Sequence, residues 1–225
     1  MTRTRWSEVV LSVLLVLGVT LAFHWLLFPR VADPDSFYHV GHARLYAATS
    51  VLDTSFPWTA FSSIGDEGAD LWWGFHVLLV PLSGGDDVAA AVRRAAFAMT
   101  LVGLLLVAWL AARHRFTDAP IWAVVFFLAV PNVLFRYLAV RPEVLSVPLA
   151  LLLLSALVRR QPVLTLLMAA AITWVHLSMF WLGPGIAVVW ALAAGVDRWV
   201  AGPPRSDPVA GWGRRLPALA LAVGA

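Results

Sequence analysis

The chain has 225 residues, of which 61% are hydrophobic and 13% charged, and it contains no cysteine. Soluble domains are about 45–50% apolar and about 25% charged, so this composition is typical of a membrane protein and all but excludes a soluble enzyme. The lack of cysteine excludes disulfides, thiol nucleophiles and thiolate metal sites. Asp, Glu, His and Arg remain as the residues available for chemistry.

The net charge of +3 arises from sixteen arginines against thirteen acidic residues, with no lysine. The arginines are scattered in ones and twos between apolar blocks and are not gathered on one face, which argues against a nucleic-acid partner. They are typical of charges that anchor cytoplasmic loops beside the membrane lipid.

Six apolar blocks approach the roughly 20 residues that a helix needs to cross a membrane. They cover residues 9–28, 88–112, 120–138, 144–158, 163–182 and 186–200, and a seventh begins shortly before the chain ends. The predicted fold class is therefore an all-α, polytopic transmembrane helical bundle of about six to seven spans. It divides into a first transmembrane helix (1–28), a long extracytoplasmic loop (29–87) and transmembrane hairpins (88–225), which we expect to be incomplete at the C-terminus.

An apolar segment within the long loop, residues 71–82, is too short to span a membrane. Trp72 and Trp73 are residues typical of the lipid headgroup level. The segment is therefore predicted to form an interfacial helix.

The arginines also predict an orientation. A cytoplasmic N-terminus puts ten of the sixteen at cytoplasmic ends of spans and the acidic loop 29–87 outside, in a bacterial or archaeal plasma membrane. An arginine on the outer side is not an anchor and needs another partner. Six arginines fall there: Arg30, Arg44, Arg93, Arg94, Arg136 and Arg141.

Two carboxylates, Asp33 and Asp35, follow directly after the first span. Pro34 disfavours the helical conformation at Asp33, so both are expected on an extended turn just beyond the membrane surface. At this spacing they can share a divalent cation, with Mg²⁺ or Mn²⁺ as the hard-ligand choices. The alternative is a plain loop-to-helix cap, because Asp-Pro-Asp-Ser is favourable turn chemistry in any protein.

A helix is predicted after this turn, capped by Ser36 or Asp35 and running to about Ala48. His39 lies one turn from Asp35, and His42 lies one turn from His39. One face of this helix is therefore expected to present imidazoles toward the carboxylates.

The stretch Asp33-Pro-Asp-Ser-Phe-Tyr-His39, the long first loop and the hairpins after it resemble the GT-C superfamily of integral membrane glycosyltransferases. That superfamily includes oligosaccharyltransferase catalytic subunits, protein O-mannosyltransferases and lipid A aminoarabinose transferases. The resemblance implies transfer of a sugar from a polyprenyl-phosphate-linked donor to an acceptor, of unspecified identity, on the extracytoplasmic side. It implies that Asp33 and Asp35 are catalytic carboxylates and that Asp35 is a metal ligand in metal-dependent branches. The Trp-Trp-Asp-Tyr-Gly signature of oligosaccharyltransferases is absent.

A second polar group lies between the third and fourth predicted spans, on the same outer side. Arg136 and Arg141 are candidate donor-phosphate ligands, because a guanidinium matches phosphate oxygens bidentately. Glu143 is a candidate metal ligand together with Asp35 and His39. Anchoring at the membrane boundary with a local ion pair is the alternative.

Two further histidines, His42 and His176, are candidate substrate-binding residues; His176 lies near the outer end of the fifth predicted span. A packing role is the alternative for His176. The loop also carries residues that could line an acceptor site, although solvated loop charge is the favoured interpretation. These are Asp66, Glu67, Asp70 and His76.

Two other classes of protein remain open. A transporter or flippase-like protein would place its buried charges near the midplane of its helices, whereas most of these charges lie at the outer ends. The second class is a non-catalytic membrane scaffold subunit. Its only support is the expectation that the C-terminal half of the enzyme is missing from this chain.

Overall fold

The structure is a computed structural model that describes residues 3–28, 30, 33–53, 55, 68–129 and 131–201, with only the backbone described for 3–8, 131–133 and 197–201. Every regular element in those ranges is helical. The helices are α1 (Arg3–Leu21, continued by a π-helical segment over Ala22–Leu27), α2 (Pro34–Ala48), α3 (Trp73–Leu79, followed by a 3-10 turn over Val80–Leu82), α4 (Val88–Arg113), α5 (Ala119–Ala129), α6 (Pro131–Tyr137), α7 (Glu143–Val158), α8 (Pro162–Val175, followed by a 3-10 turn over Leu177–Met179) and α9 (Leu182–Ala201).

Helix α4 is the centre of the packing and contacts α1, α2, α5 and α7. Small residues on α4 let its neighbours approach closely. A Cβ at Gly103 would lie 3.1 Å from a ring carbon of Tyr137 and 3.2 Å from the carbonyl oxygen of Val144. Asp87 caps the helix by accepting hydrogen bonds from two backbone amides of its first turn.

Three described helical segments are long and apolar enough to cross a membrane: Val9–Leu27, Val88–Arg113 and Leu177–Val196. The first two coincide closely with the first two predicted spans. The all-helical class is therefore confirmed for the described residues, and these three helices support the predicted membrane character. The predicted seventh span lies outside the described residues.

The third and fifth predicted spans differ in detail from the helices that the structure describes. Within the third, residues 120–138, helix α5 is described to Ala129 and helix α6 from Pro131 to Tyr137. Helix α8 ends at Val175, well before the predicted end at residue 182. Helices α7 and α8 have 16 and 14 residues, below the length of a full perpendicular span.

The predicted interfacial segment 71–82 forms α3 and the 3-10 turn after it. Its side chains Phe75, His76 and Leu79 are buried, and α3 contacts both α2 and α8. Any Cβ at Gly74 would overlap the carbonyl oxygen and the indole of Trp174 on α8. Glycine thus permits the close contact that holds α3 against α8.

The chain divides into two compact units, residues 1–184 and residues 185–225. Helices α1 to α8 belong to the first unit. All residues of the candidate site that are described below lie in it.

Candidate functional site

Asp33 is the cap of α2, a role that the sequence had suggested for Ser36 or Asp35. Its backbone is extended, Pro34 occupies the first helical position, and one carboxylate oxygen accepts hydrogen bonds from the Ser36 amide (3.1 Å) and hydroxyl (2.7 Å). Ser36 Oγ also accepts a hydrogen bond from the amide of Val140 at 2.8 Å. The start of α2 is therefore joined to the segment that precedes α7.

Arg141 lies in that segment and binds both carboxylates of the acidic pair. Its Nε donates to Asp33 Oδ2 at 3.2 Å, and its Nη2 donates to Asp33 Oδ1 at 2.6 Å. Asp35 Oδ2 lies 2.8 Å from the same Nη2. The Asp33 side chain is only 5% exposed, whereas that of Asp35 is 53% exposed. The two carboxylates thus have the same cationic partner but different access to solvent.

The surroundings of Asp33 favour its ionised form. Burial opposes ionisation, but hydrogen bonds from Arg141 and Ser36 outweigh it and hold the pKa of this carboxyl below its ordinary value. Burial of Arg141 is likewise outweighed by Asp33 and Asp35, which raise the pKa of the guanidinium. The group is a charged cluster at neutral pH.

Arg136 forms the local ion pair that was the alternative to phosphate binding. Its Nη1 lies 3.4 Å from Glu143 Oε1, and both side chains are partly exposed. Glu143 Oε2 is buried and has no hydrogen-bond partner among the described residues. The pair joins the end of α6 to the start of α7.

Arg44 and Arg94, two of the six arginines that the predicted orientation puts on the outer side, donate hydrogen bonds to backbone carbonyl groups. Arg44 Nη2 donates to the carbonyl oxygen of Gly85 at 2.5 Å, and Arg94 donates to that of Gly84. The Arg44 contact holds the loop before α4 against α2, and the Arg94 contact holds the same loop against α4. They account for two arginines that the orientation left without a partner.

A second polar cluster lies where α2 packs against α3 and the residues before it. It consists of His39 and His42 on α2, His76 on α3, and Asp70. Asp70 Oδ2 lies 2.6 Å from Nδ1 of His76, and Nε2 of His76 lies 2.8 Å from Nδ1 of His39. Nε2 of His42 lies 3.7 Å from Asp70 Oδ2. All three imidazoles are buried. We refer to these four residues as the histidine cluster.

Neighbouring groups hold Asp70 in place within the histidine cluster. The Tyr46 hydroxyl donates to Asp70 Oδ2 at 2.8 Å, and the Trp72 amide donates to Oδ1 at 2.9 Å. Burial favours the neutral acid, but hydrogen bonds led by that of His76 lower the pKa of Asp70. Burial raises the pKa of Tyr38 to about 12, and the Asp70 charge adds to this effect.

The histidines on α2 are neutral at physiological pH. Burial, followed by the influence of His76, lowers the pKa of His39 well below its ordinary value. The same two causes lower the pKa of His42 to about 4. Neutral imidazoles beside an ionised carboxylate are the forms in which these side chains bind metal ions.

His176 ends α8 and is buried, and its Nδ1 has no hydrogen-bond partner in the described part of the chain. It interacts electrostatically with Glu143 and with His39. His176 is thus close enough to Glu143 and to His39 for electrostatic influence, although the structure shows no direct contact with either among the described residues.

The structure brings Asp33, Asp35 and Arg141 into direct contact, but not the predicted metal set of Asp35, Glu143 and His39. Among the described residues, only His42, Asp70 and His76 have ligand atoms that all lie within 4.8 Å of one another. Sequence reasoning had favoured a solvated loop role for Asp70 and His76. The position of His76, an ionisable residue inside the apolar run 71–82, is the sequence feature that could have indicated its burial. Asp66 and Glu67 lie outside the described residues.

Comparison with protein-family models, with curated proteins and with solved structures finds no match to this chain.

Proposed function

We propose that this chain belongs to an integral membrane glycosyltransferase that moves a sugar from a polyprenyl-phosphate-linked donor to an acceptor on the extracytoplasmic side. The observation that carries the proposal is the position of Arg141 between Asp33 and Asp35. A phosphate-binding cation and a solvent-accessible carboxylate in contact are the two groups that such a transfer requires.

The two carboxylates have different roles in this proposal. Both oxygens of Asp33 are occupied by Arg141 and Ser36, so Asp33 positions the guanidinium and caps α2. Asp35 is half-exposed and can reach an acceptor. Arg141 uses Nε and Nη2 for these contacts, and its Nη1 makes no hydrogen bond within the described ranges. Nη1 remains available for a phosphate oxygen.

The proposed reaction is a single displacement with inversion. The acceptor oxygen or nitrogen attacks the anomeric carbon while its proton passes to the Asp35 carboxylate. The bond from the anomeric carbon to the phosphate oxygen breaks, and its electron pair leaves with the lipid phosphate. Arg141 stabilises the negative charge that develops on that phosphate.

A Mg²⁺ or Mn²⁺ ion has no role in this reaction scheme, because its predicted ligands have other partners. Asp35 contacts Arg141, Glu143 pairs with Arg136, and His39 is hydrogen-bonded to His76. Arg141 supplies the positive charge that a divalent cation would otherwise provide.

Exposed apolar side chains support a membrane location for the shorter helices as well. Ile121 and Val125 on α5 and Val163 and Leu166 on α8 are 44–71% exposed. Such surfaces are unfavourable in water but match lipid. We propose that α5 together with α6 forms one further span, that α7 and α8 form two more, and that the N-terminus of this six-span protein lies in the cytoplasm.

Lipid-phosphate binding tests the role of Arg141. The chain, reconstituted in nanodiscs, is titrated with a polyprenyl monophosphate and with the corresponding polyprenol, and binding is followed by tryptophan fluorescence. We expect the phosphate to bind at least tenfold more tightly than the alcohol, and Arg141→Gln to abolish the difference. Arg113→Gln, at the C-terminal end of α4 and away from the two carboxylates, is the matched control. Equal binding of the two lipids by the wild-type chain would refute the proposal.

Transfer itself is tested with a panel of synthetic polyprenyl-phosphate sugars in membranes that contain the chain. Released polyprenyl phosphate is measured by mass spectrometry. Asp35→Asn is expected to reduce release at least a hundredfold, whereas Asp86→Asn, in an exposed loop, leaves it unchanged. Full release with Asp35→Asn would remove the proposed base.

A further inference from the structure

The histidine cluster contains a second candidate site, distinct from the pair of carboxylates at Arg141. His42, Asp70 and His76 each have one ligand atom within 4.8 Å of a ligand atom of the other two. Both imidazoles are fully buried, and the Asp70 side chain is 4% exposed. The three residues come from α2, the segment before α3, and α3 itself.

We propose that His42, Asp70 and His76 bind one transition-metal ion, for which Zn²⁺ is the best fit. Two imidazole nitrogens and one carboxylate oxygen are a ligand set that suits Zn²⁺ and does not suit Mg²⁺ or Ca²⁺, which prefer oxygen ligands. The ion would take the place of the hydrogen bond between His76 Nδ1 and Asp70 Oδ2, which lie 2.6 Å apart.

The separations of the ligand atoms require only a small adjustment. Tetrahedral Zn²⁺ with bonds of about 2.0–2.2 Å places its ligand atoms about 3.4 Å apart. His76 Nδ1 lies 2.6 Å and His42 Nε2 lies 3.7 Å from Asp70 Oδ2, values on either side of that distance. Side-chain rotations that move these atoms by less than about 1 Å are sufficient.

The surrounding hydrogen bonds are those that metal ligands need from their neighbours. A histidine that binds metal through Nδ1 carries its proton on Nε2 and donates it to a neighbouring acceptor. His39 Nδ1, 2.8 Å from His76 Nε2, is in position to accept it. Tyr46 and the Trp72 amide orient the Asp70 carboxylate. Hydrogen bonds that would orient two of the three potential ligands, His76 and Asp70, are therefore already present.

A metal ion here would join α2 to α3 and thereby fix the helix that carries Asp33 and Asp35 at its start. This role is structural and does not depend on the proposed transferase activity. A chain that fails to transfer sugar can still bind the metal, and a chain that binds no metal can still transfer sugar. The two proposals can therefore fail independently.

The test uses the full chain without a histidine tag, purified in detergent and treated with a chelator. Zn²⁺ is then added, and bound metal is measured by elemental mass spectrometry and as the visible absorption of tetrahedral Co²⁺ after substitution. We expect one Zn²⁺ per chain and a rise in the thermal unfolding midpoint with Zn²⁺ but not with Mg²⁺. Wild-type protein with neither stoichiometric Zn²⁺ nor a Zn²⁺-dependent shift would overturn the proposal without any variant.

Variants then locate the ion. His42→Gln and Asp70→Asn are each expected to weaken Zn²⁺ binding at least a hundredfold, and His39→Gln to weaken it about tenfold as an outer-contact change. His114→Gln, a histidine substitution in the turn that follows α4, is the matched control and should bind as the wild type does. Unchanged affinity in a folded His42→Gln or Asp70→Asn protein would place the ion elsewhere and refute this assignment.

Discussion

Arg141 donates a 2.6 Å hydrogen bond to Asp33, a residue 108 positions earlier in the chain. The contact joins the start of α2 to the segment before α7 through a charged pair in which Asp33 is buried and the Arg141 side chain is 19% exposed. It also brings the exposed Asp35 within 2.8 Å of the same guanidinium. Arg141 therefore contributes to stability through its contact with Asp33 and to the proposed chemistry through its place beside Asp35.

Substitution of Asp33 is expected to reduce stability more than substitution of Asp35. Asp33→Asn removes a buried ionic partner of Arg141 and weakens the cap of α2, so we expect a loss of about 2–4 kcal/mol in the free energy of unfolding. Asp35→Asn removes a half-exposed contact and should cost less than about 1 kcal/mol. Chemical unfolding of the two variants in the same detergent measures both values. A larger loss for Asp35→Asn would contradict the assignment of roles.

The contribution of Asp33 is expected to depend on pH in a defined direction. Its pKa in the folded chain is below the ordinary value of 3.8, so the folded state favours the carboxylate. That stabilisation is complete above the ordinary value and is lost as the pH falls through the lowered one. The difference in unfolding midpoint between wild type and Asp33→Asn should thus be constant from about pH 5 to 7 and shrink below about pH 4.

The measurement is a thermal unfolding series from pH 7 to pH 2, with Asp86→Asn as the control for a general change in charge. Because the comparison is a difference between two proteins, acid effects on the histidines cancel. A difference that grows as the pH falls would have the wrong sign for this contact.

Gly74 and Gly41 are expected to respond to alanine in opposite directions. A Cβ at Gly74 overlaps Trp174, so Gly74→Ala should destabilise the chain by about 1–3 kcal/mol and separate α3 from α8. A Cβ at Gly41, inside α2, meets no atom within 4 Å, so Gly41→Ala should stabilise by about 0.5–1 kcal/mol. Unfolding midpoints test both, and a tolerated Gly74→Ala would mean that this contact is looser than described.

The lack of native cysteine permits a direct test of orientation. Asp86 precedes α4 and Arg115 follows it, and the 26 residues of the helix separate them by about 39 Å. In intact cells a membrane-impermeant maleimide should label Asp86→Cys, whereas Arg115→Cys should react only after permeabilisation. The reverse pattern would invert the proposed orientation. Labelling of both from one side would remove α4 as a span.

Local sequence was sufficient to predict much of α2. Pro34 at its start, the run to Ala48 and the spacing of His39 and His42 on one face all agree with the structure. The identity of the cap was wrong, because Ser36 and Asp35 are also good capping residues and only Asp33 has the extended backbone that the position requires.

The sequence by itself determined that this chain is helical, suited to a membrane and acidic just after its first span, because these properties follow from composition and from neighbours a few residues apart. Only the tertiary structure decided which polar groups meet. Asp33 contacts Arg141, and His39 contacts His76, across separations of 108 and 37 residues. Helical periodicity shows which face a residue occupies but not what covers that face. The partner is chosen by the packing of α2 against α3 and against the segment before α7, where each charge must find a hydrogen-bonding group because water is excluded.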